Sequence, residues 1–152
     1  MRRTDRHLSR EAAMEILVNG EYGILSTVSK DGQPYGVPLS YIVKDDCIYY
    51  HCTDAGGNKH DNILDNSKVS FTVVGNTQVL PEKFGTLYDS VIVFGESVII
   101  YDEEEKLSAL RELIKKYSAA YIAEGEKYIK AAVSKTMVVQ VAIRDVTGKS
   151  RK

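Results

Sequence analysis

Between Ser9 and Gly20 the apolar residues recur at helical spacing, with Ala13, Ile16 and Leu17 on one face, Ser9 in the N-cap position and Asn19-Gly20 ending the run. After Gly20 the period falls to two. Tyr22 to Val28 reads as a strand, Asp31-Gly32 as a hairpin turn and Tyr35 to Val43 as the returning partner. Asp45-Asp46 turns the chain into a third strand, Ile48 to Cys52, and a short helix follows over Asn58 to Asn66. In the fourth strand, Lys68 to Gly75, Val69, Phe71 and Val73 alternate with Ser70 and Thr72. These four strands are expected to form a meander-like sheet.

From Asn76 to Leu87 the only punctuation is Pro81 and Gly85, which predicts a long loop. Tyr88 to Tyr101 is apolar at both alternating sets of positions, as in a strand buried on both sides, with Gly95 marking a bulge. Asp102-Glu-Glu-Glu105 is a capping-box-like start for a helix through Tyr117, whose apolar face is Leu107, Leu110, Leu113 and Ile114. A weaker helix is predicted at about Tyr121 to Val133, and Met137 to Val146 closes the pattern as a strand. Strands in succession with isolated helical excursions argue against a doubly wound parallel sheet. They predict a mainly β chain, an antiparallel barrel with helices packed outside it.

Candidate chemistry concentrates after the third strand. Gly56-Gly57-Asn58-Lys59 joins that strand to the short helix, so backbone amides, the helix N-terminus and the Lys59 ammonium would face one anion. Asn58 or Asp61 alternatively caps the helix. Pro38 inside a strand implies an edge or a bulge, and an edge leaves backbone groups of Val37, Pro38, Leu39 and Ser40 available to the rim of a flat ligand. His51 shares a strand face with Tyr49 and Cys47, while Tyr50 and Cys52 point the other way.

The ordered set Gly32-Gln-Pro-Tyr-Gly-Val-Pro-Leu-Ser40, Tyr49-Tyr-His51, Gly57-Asn-Lys59, Tyr88-Asp-Ser-Val-Ile-Val-Phe-Gly95 and Thr147-Gly-Lys149 resembles the 5-nitroimidazole-resistance (Nim) group. That group lies within the pyridoxamine 5'-phosphate oxidase-like, FMN-binding split-barrel superfamily, and the resemblance runs from Met1-Arg-Arg to the last residues. It implies a six-stranded antiparallel split barrel of Greek-key type that forms a homodimer with FMN in two clefts between subunits. By the same resemblance Lys59 approaches the FMN phosphate, His51 lies close to the flavin, and the strand carrying Ser26 and Thr27 faces the phosphate and ribityl chain. Tyr88 and Ser90 would approach the cofactor held by the partner, and Lys149 belongs to a signature near the end of the last strand.

No catalytic residue is assigned by these patterns; His51 is the candidate. The implied activity is that of an FMN-dependent oxidoreductase reducing a small electrophile such as a nitro-aromatic compound. NAD(P)H would dock only transiently, since the chain has no dinucleotide glycine fingerprint. The alternative is a non-catalytic flavin or haem binding protein of the same fold, with His51 as a possible axial ligand.

Length and charge narrow the field further. A chain of 152 residues fits a single domain, 1–152, and 20 Lys and Arg against 21 Asp and Glu give no reason to expect nucleic acid or an anionic membrane. The basic start, Arg2, Arg3, Arg6, His7 and Arg10, lacks the apolar run of a signal peptide, and no apolar run is long enough to span a bilayer. A cytoplasmic protein is expected. Cys47 and Cys52 read as reduced thiols, and the spacing of His51, Cys52 and His60 matches no zinc pattern, so no metal is expected.

Overall fold

The structure, a computed structural model, describes residues 4–152; Arg2 and Arg3 of the basic start lie outside them. Helix α1, Arg10–Asn19, begins where Ser9 Oγ accepts the Ala12 amide at 3.2 Å and ends where the Gly20 amide reaches the Ile16 carbonyl at 3.0 Å. Its buried Ala13 and Leu17 rest on the sheet.

Seven strands make one antiparallel sheet: β1 (Gly23–Val28), β2 (Pro34–Leu39), β3 (Ile42–Lys44), β4 (Cys47–Thr53), β5 (Lys68–Leu80), β6 (Gly85–Ile100) and β7 (Thr136–Arg151). Their spatial order is β2-β1-β5-β6-β7-β4-β3. The expected six strands become seven because the predicted strand Tyr35 to Val43 breaks at Ser40-Tyr41. Its halves, β2 and β3, lie on opposite edges of the sheet. The edges are therefore joined by two residues of chain and by no hydrogen-bonded ladder.

The break has a specific cause. Tyr117 Oη accepts the Tyr41 amide at 3.0 Å and lies 2.9 Å from the Tyr41 carbonyl, taking both backbone groups out of any ladder. The Tyr41 ring turns inward, fully buried, meets Phe71 edge-on with centroids 4.8 Å apart, and its hydroxyl donates to the Leu17 carbonyl.

Three further expectations are corrected. The first four predicted strands are not a meander, since β5 pairs with β1 and β4 pairs with β3 and β7. The predicted loop from Asn76 to Leu87 is an extension of β5 and β6 into a projecting hairpin, with a register shift between Gly75 and Gln78 and the Phe84 side chain 99% exposed at its tip. The strand from Tyr88 to Tyr101 is not buried on both sides: Val91 and Val93 are buried, whereas Ile92, Phe94 and Val98 face outward. The bulge at Gly95 is present as a register shift between Phe94 and Gly95. β7 also runs beyond Val146, so Thr147 to Lys149 lie within a strand.

Three helices complete the fold: α2 (Asn58–Asp65), α3 (Glu103–Tyr117) and α4 (Ile122–Ala132). Asp102 caps α3 by accepting the Glu105 amide at 2.8 Å. One core fills the inner face of the sheet, around Leu25, Tyr50, Phe71, Val93 and Val139. A second lies between Ile42, Tyr49, Ile100 and Val138 on the other face and Ala109, Leu110, Leu113 and Ile129 of α3 and α4. No helix among the described residues is long and apolar enough to cross a membrane.

Candidate functional site

The alternation of β4 decides what its residues can do. Ile48 and Tyr50 point into the inner core, and Cys47, Tyr49 and His51 point toward α3 and α4, as the two-residue period requires. Both cysteines are free thiols, one on each face. His51 lies on the wall of a cavity of about 540 Å³ that also takes in Ser40, at the end of β2.

Beyond β4 the chain turns through Gly56 and Gly57, with φ of 82° and 120°, values that L side chains rarely adopt. A Cβ built on Gly57 meets nothing within 4 Å, so open space lies before the loop. Gly57 is the N-cap of α2 and supplies no side-chain bond; neither Asn58 nor Asp61 caps the helix, because Asn58 is already its first residue and Asp61 pairs with His60 Nδ1 at 3.0 Å. The N-terminal amides of α2 thus have no side-chain cap, which suits an anion.

Lys59, in the first turn of α2, sits close to Cys52 and His51. Although solvent reaches the His51 ring, the chain packed around it and then the Lys59 ammonium lower its affinity for a proton below the ordinary value of 6.5. Burial pushes the Cys52 thiol up, with Lys59 pulling the other way. At neutral pH this corner holds an ammonium, a neutral imidazole and a thiol.

α2 is seated by a buried contact. Asn62 Nδ2 donates to Thr27 Oγ1 at 2.8 Å, and Thr27 Oγ1 lies 3.4 Å from the Tyr35 carbonyl that accepts its proton. Thr27, fully buried, therefore ties β1, β2 and α2 together. β2 is an edge strand, one of the two places that suit Pro38, with Val37 and Leu39 turned to the core and Pro38 outward.

The sequence candidates fall into two groups. His51, Gly57, Asn58 and Lys59 lie at the end of β4 and the start of α2, and Ser40, to which Val37 to Leu39 of β2 lead, shares a cavity with His51. Ser26, Tyr88, Ser90 and Lys149 lie elsewhere, on the outward face of the sheet. There Ser90 is paired with Lys149 and with Val74, and Tyr88 with Arg151. His51 is paired with Val138 on β7. Lys149 lies far along that same strand, roughly 36 Å of strand length from Val138 at about 3.3 Å per residue. Within one chain Lys149 and His51 do not meet.

Sequence reasoning missed the α3 and α4 side of the cavity, formed by Leu113, Ile114, Tyr117, Tyr121, Glu124 and Tyr128. Its signal was the recurrence of tyrosine at 117, 121 and 128, at the end of α3, in the connection and within α4. Among the described residues no cluster of His, Cys, Asp and Glu is arranged to hold a metal ion.

The profile of the pyridoxamine 5'-phosphate oxidase family matches residues 9–150. The chain belongs to this family. No curated protein matches the sequence. Among solved structures, a candidate 5-nitroimidazole antibiotic resistance protein from Bacteroides thetaiotaomicron superposes with a TM-score of 0.78 at 23% identity, over 94% of this chain and 85% of that one. An FAD-binding protein from Mesorhizobium loti gives a TM-score of 0.68 at 25% identity, over 94% and 93%. An FAD and haem binding protein from Mycobacterium smegmatis gives 0.80 at 19%, over 95% and 72%. The family membership agrees with the resemblance carried by the sequence motifs.

Proposed function

We propose that this protein binds FMN in two clefts of a homodimer and acts as an oxidoreductase on a small electrophile, of which a nitro-aromatic compound is an example. The observation that carries this reading is the convergence at one corner of the Lys59 ammonium, the uncapped start of α2, the open Gly57 loop and the edge strand β2. These residues fit a flavin phosphate and ring: a cation and free amides for the phosphate, and unpaired strand groups for the edge of a flat heterocycle. In this reading the curled sheet is the split barrel expected of the resemblance.

A bound flavin supplies the electron transfer, and the chain supplies position and polarity. Lys59 neutralises phosphate charge while the Gly57 and Asn58 backbone approaches it closely. Val37 to Ser40 orient the ring through backbone groups of an edge strand. His51, neutral at physiological pH, offers a hydrogen bond without adding a second positive charge beside Lys59. Tyr88, Ser90 and Lys149 reach the site from the second copy, and the strand carrying Ser26 and Thr27 faces the phosphate and ribityl chain. NAD(P)H docks transiently as the reductant.

A spectrum of the purified protein tests the reading: two broad flavin bands in the near-ultraviolet and blue are expected, with FMN rather than FAD released on denaturation. Under anaerobic stopped flow, reduced protein should be reoxidised by a nitro-aromatic compound. Reduced flavin that persists in excess nitro compound would leave a binding protein only. A second reading rests on His51, since a neutral imidazole on an open cavity wall suits an iron atom. A single intense Soret band in place of the flavin bands would establish it.

A further inference from the structure

The cavity that begins at His51 extends past everything the phosphate corner uses. It runs between α3 and α4, walled by Leu113 and Ile114 on one side and Tyr128 and Ile129 on the other, with Tyr121 at the rim. Tyr121 and Tyr128 remain 64% and 73% exposed there, two large aromatic surfaces left open at one mouth. Gly125 sets the width: a Cβ at this position would come within 2.5 Å of Ile114 Cδ1, so α4 touches α3 there and the space opens beside that contact. At about 540 Å³ the cavity falls in the range of roughly 300–1,000 Å³ that holds drug-sized molecules.

Its chemistry is selective. Glu124 is the one lining residue with a full charge at neutral pH, and Thr136 Oγ1 is already bonded to the Ala132 carbonyl at 2.9 Å. Apolar side chains and tyrosine rings make up most of the remainder. Flat aromatic ligands gain by stacking on such rings, a cationic ligand gains further from ring faces and from Glu124, and a carboxylate is repelled.

We propose that the cleft between α3 and α4 binds a planar aromatic small molecule that is neutral or cationic, and that it discriminates against anions through Glu124. As the substrate pocket it rests on the proposed flavin reading, because His51 is then shared between the ligand and the flavin ring; the binding itself does not.

The test uses the full chain, as purified and after loading with FMN, titrated calorimetrically with three probes of similar size: 4-nitrobenzyl alcohol, 4-nitrobenzyltrimethylammonium and 4-nitrobenzoate. The neutral and cationic probes are expected to bind at least about tenfold more tightly than the benzoate. Glu124→Gln should bring the benzoate and the cation closer together. Ser118→Trp, at an exposed lining position whose amide bond to Ile114 is retained, should weaken all three probes tenfold or more, and Tyr128→Ala roughly two- to tenfold. Both variants should leave FMN affinity unchanged. Equal affinity for the three probes overturns the proposal, as do probe affinities that neither Ser118→Trp nor Tyr128→Ala alters. Loss of FMN together with the probe also overturns it, by assigning the cleft to the flavin ring. Failure to bind FMN at all defeats the functional reading alone, because the flavin-free titrations still report on the cleft.

Discussion

Lys59 brings a positive charge to the phosphate corner, and two neighbouring groups register its presence. Replacing it by Ala should weaken FMN binding tenfold or more, since a hydrogen bond to a charged group contributes about 1.5–3 kcal/mol. Riboflavin, with no phosphate, should bind the variant as it binds the parent. Equal losses for the two flavins in parallel titrations would remove Lys59 from the phosphate. His51 provides an independent reading of the same contact. Its folded-state proton affinity is held below the ordinary 6.5 by the surrounding chain first and Lys59 second. The folded state therefore binds fewer protons than the unfolded chain near that pH. Its contribution to stability is fully present above 6.5 and is lost as pH falls through the lowered value. Inorganic phosphate placed against Lys59 offsets the second cause without covering the ring, so the His51 midpoint should move upward on binding. NMR titration of the imidazole with and without inorganic phosphate measures this, and an unmoved midpoint would put the phosphate elsewhere.

At the scale of elements, α2 is held to the sheet by Asn62 and Thr27, and the phosphate corner rides on α2. Thr27→Val keeps the shape but strands the Asn62 amide in a buried site, which should cost about 1–3 kcal/mol in urea denaturation and loosen FMN binding with it. Lost FMN affinity with unchanged stability would instead make Thr27 a ligand group. The helices were legible in the sequence because their signals are local: Ser9 and Asp102 act on amides three residues away. The missing N–H at Pro38 pointed to an edge or a bulge, and β2 is an edge. The break between β2 and β3 was not legible, because it depends on a hydroxyl 76 residues away in the chain, that of Tyr117. The projecting hairpin was missed for a related reason. Its strands pair across a register shift at Gly75 to Gln78 and pack little, so no burial pattern is written into them. The candidate site was legible where backbone demands fix residue type, at Gly57 and Pro38, and invisible where α3 and α4 bring tyrosines together.

At the scale of the molecule, what remains is an outward face with too much apolar surface for a solvated sheet. Pro38, Ile24, Thr72, Ile92 and Thr147 lie in one row across five adjacent strands, with Phe94 in the next row. Ile92 and Phe94 are 40% and 52% exposed in the single chain. Contiguous apolar surface of this kind is normally covered. In the proposed dimer a second copy would cover this face, and it would bring Ser90 and Lys149, which border it, to the other copy's site. Ile92→Glu should therefore produce monomers by light scattering at micromolar concentration. Its cross-strand neighbours Thr72 and Thr147 carry no charge, so the fold should survive, as circular dichroism would show. Because the proposed cleft needs residues of both copies, FMN should be lost along with the dimer. A well-folded monomer that still holds FMN at parental affinity would refute the shared site, leaving Ser90 and Lys149 outside it and the Lys59 corner sufficient on its own.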